Sequence, residues 1–221
     1  EKQQANTLEV KEMVAKAHNL VGTWLAQNQS ESREVILMHL EKSAKESSIK
    51  VKKCKAHYAL GKHYDHLYSN LQRKQKTQEW HVAQAIRAQN AKQLEQYSNY
   101  LKSTTRPAQE IMRQQSSLSR IVNRDKTEQE KLKKDTNEFL LKAMENYFSA
   151  AYHGDKYNIT VVFRLCSMWF NNSTLDSVNT LFSKWYPKIG IHKFLPLMYQ
   201  IASRLGSPSD RFNQVLLGLL E

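Results

Sequence analysis

Chain-breaking residues are scarce enough here to decide the fold class: in 221 residues glycine occurs six times and proline four. Sheets and tight turns depend on that punctuation, whereas the abundant Lys, Gln, Leu, Ala and Glu favour helix. The expected fold is therefore all-α. A hydrophobic content of 40% over this length suits one extended domain better than a sphere with a large core. No apolar run approaches the roughly 20 residues that cross a bilayer, so no membrane association is expected. Cys54 and Cys166 are far apart and form no C-x-x-C pair, which points to a reducing compartment.

Helical spacing divides the chain into three sub-regions. In residues 1–49 a stripe of Val10, Val14, Ala17, Val21, Trp24 and Leu25 predicts a helix over 7–27 that buries this face. Ser30 or Ser32 then caps a second helix with Val35, Ile36, Leu40 and Ala44 inward, making a helical hairpin. In residues 50–124, Leu60, Tyr64, Leu67 and Leu71 mark a third helix. The polar run 72–79 predicts a break capped by Thr77, and Trp80, Ala83, Ile86, Leu94, Tyr97 and Leu101 resume a looser face. These long polar helices suggest an antiparallel arm. The run 103–107 reads as a loop.

Residues 125–221 predict five shorter helices, the first capped by Asp125 and stopped at Gly154. The next contains FRLCSMWF, in which Ile159, Val162, Phe163, Cys166, Trp169 and Phe170 share one face and Val161, Leu165 and Met168 flank it. A helix apolar over most of its circumference must be sandwiched, since exposure forfeits about 1.5–3 kcal/mol per large side chain. Asn172 or Ser173 should cap the following helix. Phe194, Leu197, Met198, Ile201 and Leu205 then form one continuous face, and Phe212, Val215, Leu216, Leu219 and Leu220 another. The expected core is Trp24, Phe139, Phe163, Cys166, Trp169, Phe194, Leu197 and Tyr199. Short helices joined by short loops have the rhythm of stacked antiparallel hairpins, as in TPR- or HEAT-like α-solenoids. The chain also ends inside an apolar face, which suggests a fragment of something longer.

Catalytic chemistry finds no foothold. Cys54, His57, His63 and His66 have a C-x2-H-x5-H-x2-H spacing, but at about 100° per residue the histidines point roughly 300°, 180° and 120° from Cys54 and cannot converge on one ion. Cys166 sits on the apolar face, where a thiol behaves as a small hydrophobe. No phosphate-cradling loop, nucleophile elbow or kinase catalytic motif occurs, so no catalytic, cofactor-binding or metal-binding residue is expected. Arg164 lies amid apolar residues and needs either a carboxylate partner or a path for its guanidinium to solvent. Thr77-Gln78 is a candidate phosphoacceptor dipeptide.

Net charge is +12, and residues 50–124 carry 15 Lys and Arg against four acids. Lys50, Lys52, Lys53, Lys55, Arg73, Lys74 and Lys76 form a candidate partner surface. Nucleic-acid binding by the same arm is the rival reading. A solvated helical face is the blander one, favoured by the sparse aromatic interleaving.

FLLKAMENY (139–147), VFRLCSMWF with NNS (162–173) and HKFLPLMYQIASRLG (192–206) resemble, in order and separation, the FAT region of ATM-like members of the phosphatidylinositol-3-kinase-related protein kinases. GTWLAQ (22–27) resembles it more faintly, and the polar arm departs from it. The resemblance implies a non-catalytic scaffold within a large, nuclear, homodimeric Ser/Thr kinase of the DNA double-strand break response, using ATP and Mg elsewhere in the parent. It also implies partners: the parent's own kinase domain, a second protomer and protein activators.

Overall fold

The computed structural model describes residues 2–104 and 109–220, with side chains from Thr7 onward. Beyond Thr104, the loop expected at 103–107 falls outside the described residues. Every regular element among the described residues is helical: α1 (Lys2–Asn28), α2 (Arg33–Glu46), α3 (Lys50–Gln75), α4 (Gln78–Ser103), α5 (Gln109–His153), α6 (Asn158–Asn171), α7 (Asp176–Ile189), a 3-10 segment (Ile191–Leu197), α8 (Met198–Ala202) and α9 (Asp210–Leu220). They fold as two compact units, Glu1–His66 with Phe139–Glu221, and Leu67–Glu138. This division differs from the three expected sub-regions because α3 and α5 are continuous helices that each contribute to both units.

In the first unit, α1 and α2 pack antiparallel, with Glu12 reaching Ser48 and His18 meeting His39 at 2.8 Å. Small residues make the approach close. Ala15 is fully buried, and a Cβ on Gly22 would lie 2.9 Å from Leu40. Ser32 caps α2 by accepting from the Val35 amide. The buried face of α1 is Glu12, Ala15, Asn19, Gly22 and Leu25, not the expected valine stripe. Trp24 is 59% exposed, and Val10, Val14 and Val21 are exposed with it. The expectation fails because close packing on α2 selects the small residues, which places the larger apolar residues on the opposite side.

α3 and α5 also run antiparallel within this unit: Cys54 lies beside Gly154, Gly61 beside Ala143 and Tyr147, and Tyr64 beside Phe139. α5 stops at His153, as Gly154 predicts. α6 contributes Val161, Val162, Leu165, Cys166, Met168 and Trp169 to the core. At 100° per residue this arc is turned about 90° from the expected face, so Phe163 is 44% exposed and Ile159 is exposed too. The sandwich itself stands, because the rings on Trp169 come from α7 and α9.

Neither Asn172 nor Ser173 caps α7 with its side chain; Leu175 is the N-cap residue, and Asn172 instead donates to the Met168 carbonyl at the end of α6. Gly190, at φ 89°, ends α7 in a conformation that favours glycine. The single helix expected over 194–205 is a 3-10 segment followed by the short α8. Phe194, Leu197 and Ile201 point inward as their spacing predicts, whereas Tyr199, expected in the core, is 94% exposed, because at 100° per residue it lies about 140–160° from those three.

In the second unit, α4 begins after Thr77, whose hydroxyl accepts from the Trp80 amide and donates to the Lys74 carbonyl. α4 contributes no buried residue. It runs antiparallel to α5 through Gln84–Gln129 at 2.9 Å and Arg87–Asp125 at 3.8 Å. Asp125 therefore does not cap a helix. With no glycine or proline between 109 and 153, α5 runs through it unbroken, and its carboxylate answers Arg87.

Candidate functional site

The part of the molecule with the most developed side-chain chemistry lies where α3, α5 and α6 meet in the first unit. Arg164 on α6 donates from Nε and Nη2 to Asp65 on α3, at 2.8 and 2.6 Å. Tyr147 on α5 donates to the same carboxylate at 3.0 Å. Of the two sequence readings of Arg164, the carboxylate partner is the one observed. Burial first, and then the Asp65 charge, push the Tyr147 hydroxyl far up from its ordinary value, so it stays a donor. Asp65 is the sole acid in α3. A single carboxylate in an otherwise basic helix is a sequence signal for such a partner, although nothing local says which helix supplies it.

A second polar tie crosses the aromatic core. Trp169 stacks on Phe182 with ring centroids 3.9 Å apart and leans on Phe212 at 4.7 Å. Its Nε1 donates to Asn179 Oδ1 at 2.8 Å, and Asn179 Nδ2 donates to the Ser173 carbonyl at 2.8 Å. The fully buried Asn179 thus has both ends of its amide engaged, as a polar group in an aromatic core must. Of the other expected core residues, Phe139, Cys166, Phe194 and Leu197 are buried.

The third tie is Glu12, only 2% exposed. Its Oε1 accepts from the Ser48 amide and hydroxyl, each at 2.5 Å, and from the Ile49 amide at 2.9 Å, so a side chain of α1 satisfies amides at the head of α3. Lys52 Nζ lies 3.6 Å from Oε2. Burial raises the carboxyl, but the Ser48 hydroxyl, the two amides and Lys52 outweigh it and hold the group down at about 2. Glu12 gives no sequence signal of this role, because a glutamate on a polar helix reads as solvated.

Both thiols are buried and free. Burial pushes Cys166 up to about 12 and raises Cys54 as well, the reverse of what a nucleophile needs. His57 meets Asn146 at 2.9 Å and His63 is buried apart from it. No group of three or more His, Cys, Asp or Glu suited to a metal occurs among the described residues. The expected basic surface is divided. Lys50, Lys52, Lys53 and Lys55 lie in the first unit, Arg73, Lys74 and Lys76 in the second. Thr77 sits beside the latter group, half-buried, with its hydroxyl committed to the cap.

These features define a class: an α-helical scaffold in which long rods are held in register by buried polar ties. No protein-family model matches the chain. It is 32% identical to the Serine/threonine-protein kinase ATM of Arabidopsis thaliana over 96% of its own length and 6% of that protein's. Against the Serine-protein kinase ATM of Sus scrofa it is 32% identical over 84% of its length, again covering 6% of the relative. The fold superposes on the solved FAT and kinase domain of CtTel1 with a TM-score of 0.68 and 18% identity, covering 93% of this chain and 14% of that one. The chain belongs with the ATM and Tel1 protein kinases, as a relative of their helical FAT region rather than of the kinase domain. It spans about 6% of the length of the curated relatives it matches.

Proposed function

We propose that this chain is a scaffold segment of an ATM-like Ser/Thr protein kinase of the DNA double-strand break response, supporting and restraining a kinase domain that uses ATP and Mg. The observation that carries this reading is the 32% identity to an ATM kinase along 96% of the chain. The three polar ties suit the role. Asp65, Asn179 and Glu12 each join different segments, so force applied to one helix reaches its neighbours with little slack. The exposed stripe of Val10, Val14, Val21 and Trp24 on α1 is an apolar face of the kind that stacked hairpins bury against a further helix of a longer chain.

The proposal extends to a nuclear location, dimerisation and contacts with activating proteins. One of the solved neighbours is a complete CtTel1 dimer with C2 symmetry, which supports the dimer part. The test is direct. The purified chain, given ATP, Mg and a peptide containing Ser-Gln, should transfer no phosphate, yet should bind a separately produced kinase domain of an ATM-like protein. Absence of binding at tens of micromolar overturns the supporting role, and robust transfer overturns the scaffold reading.

The basic residues favour a second reading, nucleic-acid binding, because 15 Lys and Arg fall within 50–124. Titrating duplex DNA across salt separates the two. Tight binding with a steep logarithmic salt slope supports the rival, whereas weak binding at physiological salt supports a protein-facing surface.

A further inference from the structure

A groove of about 410 Å³ opens between α1 and α3 in the first unit, walled by Asn19, Thr23 and Ala26 on one side and by Tyr58, Lys62 and His66 on the other. Both walls are regular. Residues 19, 23 and 26 share one face of α1, and 55, 58, 59, 62, 63 and 66 share one face of α3. Tyr157 also lines the groove, and its ring stacks on Tyr58 with centroids 3.9 Å apart and planes within 3°. The floor includes Leu40 and Ala59. Its volume falls within the roughly 300–1,000 Å³ of small-molecule sites.

Two observations give this groove a chemistry. Its lining includes Lys55, Lys62, His63 and His66 and no acidic side chain, so the lining is net positive. Lys55 and Lys62 are one heptad apart, about 10.5 Å along the helix, and both are exposed, so their long side chains can converge above Tyr58 and Ala59. In addition, Asn19 Nδ2 and His63 Nε2 are buried in the walls without a hydrogen-bond partner. Burial and the neighbouring His66 push His63 down to about 4, so near neutral pH its ring is uncharged and the lysines supply the charge.

We infer that the α1/α3 groove is a binding site for a small organic anion, a carboxylate whose flat apolar body lies over Tyr58 and Ala59 and whose head group is held by Lys55 and Lys62. The volume of about 410 Å³ favours a small molecule over a continuous peptide. Nothing in this inference depends on the scaffold reading.

The probe is 2-naphthoate, titrated into the 221-residue chain by calorimetry and by the ring 15N resonances of its histidines. Saturable binding that shifts the His63 signal, and that weakens by about fivefold or more for the uncharged 2-naphthamide, is the expected result. The double variant Lys55→Gln, Lys62→Gln alters only exposed side chains and should weaken 2-naphthoate by a similar factor with unchanged circular dichroism. Ala59→Phe, which fills the floor, should abolish binding. Equal affinity for naphthoate and naphthamide, binding unaffected by the lysine substitutions, or saturation that leaves His63 unmoved each overturns the proposal. So does displacement of the probe by a glutamate-rich peptide at lower concentration, which assigns the groove to a protein segment instead.

Discussion

Arg164 and Asp65, 99 residues apart in sequence, meet through two parallel hydrogen bonds of 2.8 and 2.6 Å that join α6 to α3. Asp65→Ala should therefore destabilise the chain by about 1–3 kcal/mol. That is less than a fully buried pair would lose, because the Arg164 side chain is 35% exposed. Chemical denaturation measures it. The double variant Asp65→Leu, Arg164→Met should recover part of the loss, since it leaves neither an unpaired charge nor a void. A single variant as stable as the parent chain refutes the register role.

Glu12 makes stability depend on pH with a definite sign. Its carboxyl, ordinarily near 4.5, is held down at about 2 in the folded chain. The stabilisation is complete above about 4.5 and is lost as pH falls toward 2. Glu12→Gln should cost about 1–3 kcal/mol at pH 7. The gap between variant and parent should close progressively from pH 4.5 to 2, as followed by denaturant melts. A constant gap over that range rules out the carboxylate as its source.

Trp169 and Phe163 lie on one helix and should behave differently. Trp169→Ala removes a fully buried ring and leaves the Asn179 carbonyl unpaired, for a cost of about 3–5 kcal/mol. Phe163→Ala should cost less than about 1.5 kcal/mol in the isolated chain. Thermal melts separate them, and comparable losses contradict the orientation of α6.

The thiols should be silent in the native chain. With Cys166 at about 12 and Cys54 also raised, labelling by a disulfide reagent at pH 8 should proceed only as fast as the protein opens, and two thiols should appear promptly in denaturant. Rapid native labelling of Cys166 contradicts its burial.

Helix content and the interior status of the FRLCSMWF segment follow from the sequence alone. So do the hairpin of α1 and α2, the Thr77 break and the Gly154 stop, because rare chain-breakers and a 3.6-residue apolar period act over a few neighbouring residues. The side of each helix that faces inward is a different kind of property. Along α1 the valines and Trp24 offer the more apolar stripe, yet close approach to α2 through Ala15 and Gly22 turns them outward. At α8, Phe194, Leu197 and Ile201 take the interior and leave Tyr199, on the far side, exposed. Partners are less legible still: Arg164 announces a need for a carboxylate, but its answer lies on a helix 99 residues away, and Glu12 announces nothing. Local patterning encodes periodicity, whereas contacts between distant segments decide which stripe is buried and which charges meet, since only in the assembled fold do close approach, desolvation and unpaired amides compete for the same space.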